Sequence, residues 1–241
     1  MKTQQMFEAG IPAGLGTAPR PALPRTAPLN RARTVAIVEV TALAAVLLSY
    51  IWGWHGAFHG SFFVVLGLYF GIGITSHILR RESPRDIGFR LDNAPRALLN
   101  AAMIVVPAIA IVLLIGLALD SWHFSSPERS MLGAPWLFAW ALAQQYGLLC
   151  FFYRRFLDIF GKETWAAVSA SLAFAAFHLP NPFLVPVTLA AGLAACRLYR
   201  REPNVLVLGL AHAMISFFLF SSLPVSVTFG LRVGPGFFAL H

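Results

Sequence analysis

The chain has 241 residues, 58% of them hydrophobic and 12% charged, with a mean hydropathy of +0.70. A soluble domain of this length carries about twice that charged fraction, so the composition excludes an ordinary soluble protein and indicates an all-α, polytopic membrane helix bundle with apolar blocks of about twenty residues. The net charge of +8 does not mark a nucleic-acid binder, because Lys and Arg sit at the ends of the apolar blocks and in short loops, where they set membrane orientation.

Residues Met1 to Arg33 are rich in Pro, Ala and Gly, with scattered Arg and no apolar core of a signal peptide, and they read as a disordered, basic cytoplasmic tail. The first apolar run, Thr34 to Trp54, is long enough to span and carries one carboxylate, Glu39. The second, Ser61 to Leu79, ends in a basic loop that continues to Arg96; the third is Ala97 to Leu119. A polar loop follows, with Trp122 and Trp136 placed as interfacial anchors. The fourth run, Pro135 to Tyr153, contains Gln144-Gln145 and is closed by Arg154-Arg155. The fifth, Thr164 to Leu179, stops at Pro180-Asn181-Pro182, since proline cannot continue the helix. The sixth is Phe183 to Leu198, and the seventh is Asn204 to Leu223. Residues 224–241 form a tail rich in Gly and Pro. Cys150 and Cys196 lie in or beside apolar runs without motif spacing, and read as small buried residues.

With seven spans, sixteen Lys and Arg residues fall on one side and only Arg129 and Arg232 on the other. The positive-inside rule then puts the N-terminus in the cytoplasm and the C-terminus outside. Depth follows from counting at about 1.5 Å per residue: Gln145 and His212 each lie roughly 14 Å from the cytoplasmic ends of their spans, and His178 roughly 24 Å. Polar groups on three spans at mid-membrane depth need partners, which points to an internal site. Phe174 and His178 share one helix face, as do His212 and Ser216, each pair being four residues apart. The structural alternative makes His178 a helix-end cap and leaves His212 and Ser216 as polar contacts between helices.

Phe174-Ala175-Ala176-Phe177-His178 and His212-Ala213-Met214-Ile215-Ser216 resemble the Phe-x-x-x-His and His-x-x-x-Asn motifs of the CPBP (Abi) intramembrane proteases, a family that includes CAAX prenyl endopeptidases and bacteriocin-processing proteins. The separations, 33 residues from Gln145 to His178 and 34 from His178 to His212, suit that resemblance, which covers the motif core from Pro135 to Leu223. The resemblance implies a CPBP-like transmembrane bundle over residues 34–223 and an endopeptidase (hydrolase) that cleaves a membrane-associated protein or peptide, by CAAX-type or leader processing, in a bacterial-type inner membrane. It implies Gln144, Gln145, His178, His212 and Ser216 as catalytic positions and Phe174 as substrate-binding, with the lipid bilayer as surroundings and no nucleic-acid partner.

The departure is at Gln144-Gln145, where the family has Glu-Glu, and at Leu149, where its pattern places Arg. The family's glutamate is taken to activate water, whereas a carboxamide cannot accept that proton; losing a general base costs about 10² to 10⁴ in rate. Glu39 is an alternative base, and His178 or His212 is another, with the glutamines orienting water. No cofactor and no metal are expected: zinc needs three protein ligands, and two histidines without a nearby acid supply that poorly. The competing reading keeps the fold without the chemistry, as a pseudoprotease that binds a membrane peptide or acts as an immunity factor.

Overall fold

The computed structural model describes residues 29–54 and 57–239, and among these residues there are helices and turns but no strand. Helix α1, Leu29–Ser49, runs on into a π-helical turn at Tyr50–Trp54. Next come α2, Ser61–Leu79, and α3, Ala94–Ala118. Helix α4, Pro127–Gln145, passes through a π-helical segment, Tyr146–Tyr153, into α5, Arg154–Phe160. Helices α6, Glu163–Ala176, α7, Leu184–Arg201, and α8, Val205–Ser222, complete the bundle. The tail holds two single-turn helices, α9, Val225–Thr228, and α10, Pro235–Phe238, separated by a 3₁₀ turn.

All seven apolar runs are thus helical, but only four helices are by themselves long and apolar enough to cross a membrane: residues 31–54, 61–79, 94–118 and 205–222. The other three fall short for visible reasons. Helix α6 has 14 residues, roughly 21 Å of rise against a hydrocarbon core of about 30 Å. The α4–α5 rod carries Gln144-Gln145 in the middle of its apolar run, and α7 carries Arg197, Arg200 and Arg201. The first helix also begins at Leu29, inside the segment expected to be tail; the rest of that tail expectation, Met1 to Pro28, lies outside the described residues.

The ends of the helices are specified locally. Ser126 caps α4 by accepting from the Arg129 N–H at 3.4 Å, with Pro127 next in the first turn, where its missing N–H costs nothing. Asn204 caps α8 by accepting from the Val207 N–H at 2.9 Å, while its own amide donates to the Arg90 carbonyl at 2.8 Å and to Asn93 at 2.9 Å. That one buried side chain fixes the α7–α8 turn to the α2–α3 loop.

Packing is inverted relative to a soluble protein. Phe63, Ile78, Leu79, Leu99, Met103, Val106 and Leu114 are exposed, whereas Gln145, Arg155, Ser171, Asn181 and Asn204 are buried. Helices in lipid gain nothing from burying leucine against leucine, and they associate through close backbone approach and polar contacts. Two glycines provide such approaches. At Gly192 of α7 a Cβ would stand 3.0 Å from the Ser171 hydroxyl of α6, and at Gly209 of α8 it would stand 3.1 Å from the Leu142 Cα of α4.

The basic loops gather at one end of the bundle. There Glu82 accepts from His77 at 2.7 Å and from Arg154 and Arg155. Arg80 bonds Glu39 at 2.8 Å and lies 3.3 Å from Asp158. Arg155 is fully buried among these groups.

Candidate active site

The π-helical segment starts directly after Gln144-Gln145, and its cause is a side chain from α2. The Tyr69 hydroxyl donates to the Ala143 carbonyl at 2.7 Å, which in a regular α-helix would accept from the Gly147 N–H four residues on. The same hydroxyl occupies the place of a Cβ on Gly147, so only glycine fits there. A side chain inserted into the i→i−4 ladder widens it, and such bulges recur at functional sites.

The carboxamides at 144 and 145 point to adjacent faces of α4. Gln145 is buried, and its amide nitrogen lies 3.1 Å from Nδ1 of His212. The close approach of Leu142 and Gly209 explains the meeting: each bonded residue lies three positions after one of that pair, on the same helix face. With the amide donating, Nδ1 of His212 accepts, and the neutral ring carries its proton on Nε2. Gln145 Oε1 is buried with no protein partner among the described residues. A buried acceptor left without a partner is costly, so it marks a place for a water or a ligand N–H.

His178 sits in the turn after α6. Its Nδ1 donates to the Phe174 carbonyl at 2.7 Å, which can only accept, so the neutral ring keeps a lone pair on Nε2. The Phe174 ring packs edge-on against both imidazoles, with centroids 4.8 Å from His178 and 6.1 Å from His212. Gln144, Phe174 and His178 line one cavity of about 770 Å³. Its remaining walls come from the π-helical turn after α1 (Tyr50 to Trp52), α2 (Phe62 to Tyr69), the aromatic face of α4 (Trp136, Trp140) and the tail (Leu231 to Gly236).

Of the residues singled out in the sequence, Gln144, Gln145, Phe174, His178 and His212 are brought together. Ser216 is half-buried one turn beyond His212, with no hydrogen bond to it among the described residues. Glu39, the alternative base, is placed elsewhere: its carboxylate is held by Arg80 at the basic end, and it does not line the cavity. Its position only six residues into the first run already put it near that end. Leu149, in the place of the motif arginine, is fully buried, and the guanidinium groups come on Arg154 and Arg155, past the π segment. Trp136, expected as an interfacial anchor, forms part of the cavity wall while remaining exposed. Among the described residues no three His, Cys, Asp or Glu side chains form a group that could hold a metal ion.

Three contributors were not anticipated. Tyr69 is the one tyrosine within the second apolar run, a weak signal in hindsight. Asn181 was read only as part of a helix stop. It is fully buried, donates to the Thr228 and Arg232 carbonyls at 3.1 and 3.0 Å, and accepts from the Phe183 and Leu184 N–H groups. It therefore clamps the tail to the turn that carries His178. Arg232, the third, was visible only as one of the two basic residues on the sparsely charged side.

No curated protein and no solved structure matches the chain. Residues 141–218, about a third of its length, match the family model of the type II CAAX prenyl endopeptidase Rce1-like proteins. That stretch holds both glutamines, Phe174, His178, His212 and Ser216, and over it the chain is similar to the Rce1-like, CPBP type of membrane protease.

Proposed function

We propose that the protein is an intramembrane endopeptidase that hydrolyses a peptide bond of a membrane-associated protein or peptide, with His178 in the place of the usual carboxylate base. The observation that carries this reading is the convergence of Gln145, His212 and His178 around Phe174 beside a cavity otherwise walled by apolar and aromatic side chains. A water held near the carboxamides gives a proton to Nε2 of His178 while its oxygen attacks the scissile carbonyl. The resulting oxyanion is met by the Nε2–H of His212, whose orientation Gln145 fixes. His178 then returns the proton to the leaving amide nitrogen, and the C–N bond breaks to give a carboxylic acid and an amine. General-base catalysis by a positioned histidine supplies about 10² to 10⁴ in rate.

The bundle is oriented by its basic loops, with the N-terminus and the Glu82 cluster at the cytoplasmic side of a bacterial-type inner membrane and the tail on the opposite face. The cavity, lined by the end of α1 and by the tail, then opens on the non-cytoplasmic side.

The test is cleavage of a membrane peptide by the purified full chain in liposomes. His178→Ala and His212→Ala should each lower turnover about 100-fold or more, and Gln145→Glu, which supplies a carboxylate at a preformed site, should raise it. Equal background turnover in the wild type and both alanine variants would remove the enzymatic reading. One observation favours a second reading, a peptide-binding pseudoprotease: no carboxylate of the described residues lines the cavity. That reading predicts peptide binding without turnover, and it survives if Gln145→Glu alone gives activity.

A further inference from the structure

Among the described residues, Arg232 is the one formally charged residue in the wall of the cavity. Its side chain is exposed and engages no carboxylate of the described residues, yet its backbone is rigidly held. Asn181 donates to its carbonyl at 3.0 Å, and two residues on the Gly234 N–H donates to the Leu179 carbonyl at 2.9 Å. Gly234 has φ +55° and packs against Ile51 at the end of α1 so closely that no side chain fits. The tail strap is therefore bonded to the residue next to His178 on one side and wedged against α1 on the other. A cation at a fixed place on the rim of an apolar cavity is not explained by packing, since no carboxylate among the described residues neutralises it.

Resting on the endopeptidase or peptide-binding reading above, we propose that Arg232 is the specificity-determining residue of this site. It binds a carboxylate of the peptide at the cavity rim and so fixes which peptide bond lies at His178. A guanidinium matches a carboxylate in a two-point fork, and the pairing strengthens beside low-dielectric walls. The aromatic and aliphatic lining, including Trp136, Trp140 and Phe174, takes the apolar part of the same peptide. The substrate class is thus a peptide with an apolar stretch next to a carboxylate, whether an acidic side chain or the free C-terminus.

The experiment uses the full chain in nanodiscs of zwitterionic lipid and three fluorescent apolar peptides. One has a single Glu and an amidated C-terminus, one has Gln with the amide, and one has Gln with a free C-terminus; binding is read by anisotropy and the cleavage position by mass spectrometry. The wild type should bind at least one carboxylate peptide about 10-fold or more tightly than the neutral one. Arg232→Gln should abolish that preference while still binding the neutral peptide, and Arg232→Lys should keep part of it with a less uniform cleavage position. Preference for the Glu peptide assigns a side chain, and preference for the free terminus assigns the C-terminal carboxylate; either supports the proposal. A wild type that binds all three equally, or a preference that persists in Arg232→Gln, overturns it and leaves the peptidase reading intact. Loss of the preference in nanodiscs with anionic lipid assigns Arg232 to lipid headgroups and also overturns it. If the wild type binds none of the peptides, both readings fall.

Discussion

Tyr69 shows how one hydroxyl shapes the site at the scale of a residue. It bonds the Ala143 carbonyl, which also accepts from the Tyr146 N–H, at the point where the eight π-helical residues begin. Tyr69→Phe keeps the ring contacts with Phe70 and Tyr146 but takes the hydroxyl donor from the Ala143 carbonyl, leaving it the Tyr146 N–H. The expected result is a loss of about 0.5–1.5 kcal/mol or reversion to α-helical turns that carry Gln145 away from His212, and in either case lower turnover. Thermal unfolding in detergent and peptide cleavage together check this. A variant with wild-type values of both would show that the hydroxyl holds nothing in place. The glutamines and histidines themselves were legible in the sequence, because an amide or imidazole in an apolar run needs a polar partner. Tyr69 was not, since a tyrosine in an apolar run is satisfied as easily by lipid headgroups as by a helix carbonyl.

At the scale of elements, the contact between α4 and α8 decides whether the polar groups meet. Leu142 against Gly209 brings the backbones close, and one turn on this becomes the 3.1 Å contact of Gln145 with His212. Any Cβ at 209 must push Leu142 outward. Gly209→Ala should therefore shift the helices by a few tenths of an ångström and lower turnover moderately, while Gly209→Val should lower it about 100-fold, the scale of a 1 Å misplacement. Both should leave the helix content unchanged by circular dichroism. If Gly209→Val were as active as the wild type, the helix contact would not be what positions the pair. This packing explains the limits of reading the chain from sequence. The existence and order of the helices follow from apolar blocks and breakers, and Asn204 announced the start of α8. The face each helix turns inward did not follow, because a span apolar on every side has no amphipathic phase. The π segment then displaces any phase extrapolated from Gln144, which is why Leu149 is core and the arginines arrive later.

Across the whole molecule, the cavity and the ionic cluster occupy opposite ends of the same α4–α5 rod. The rod reaches from Trp136 in the cavity wall, through Gln144 and the buried π segment, to Arg154 and Arg155 on Glu82. Glu82 ties this rod to the α2–α3 loop, so the cluster holds α2, and with it Tyr69, at its distance from α4. Burial by itself would raise the Glu82 carboxyl, but the His77 hydrogen bond and the charges of Arg155 and Arg154 outweigh it and hold the group at about 2, below its ordinary 4.5. A carboxyl depressed in the folded state contributes stability that is complete above the unfolded value and is lost as pH falls through the folded one. The window is therefore between pH 4.5 and 2. With a side chain 11% exposed, the contribution is on the order of 3 kcal/mol. Melting temperature in detergent should fall across that window in the wild type. Glu82→Gln, which leaves two guanidinium groups facing a neutral amide, should start lower at neutral pH and lose much less across it. Parallel curves for the two proteins would mean that Glu82 does not carry the acid sensitivity. Turnover should follow the same profile in the wild type only if the cluster, through α2, holds Tyr69 in the helix ladder beside the glutamines.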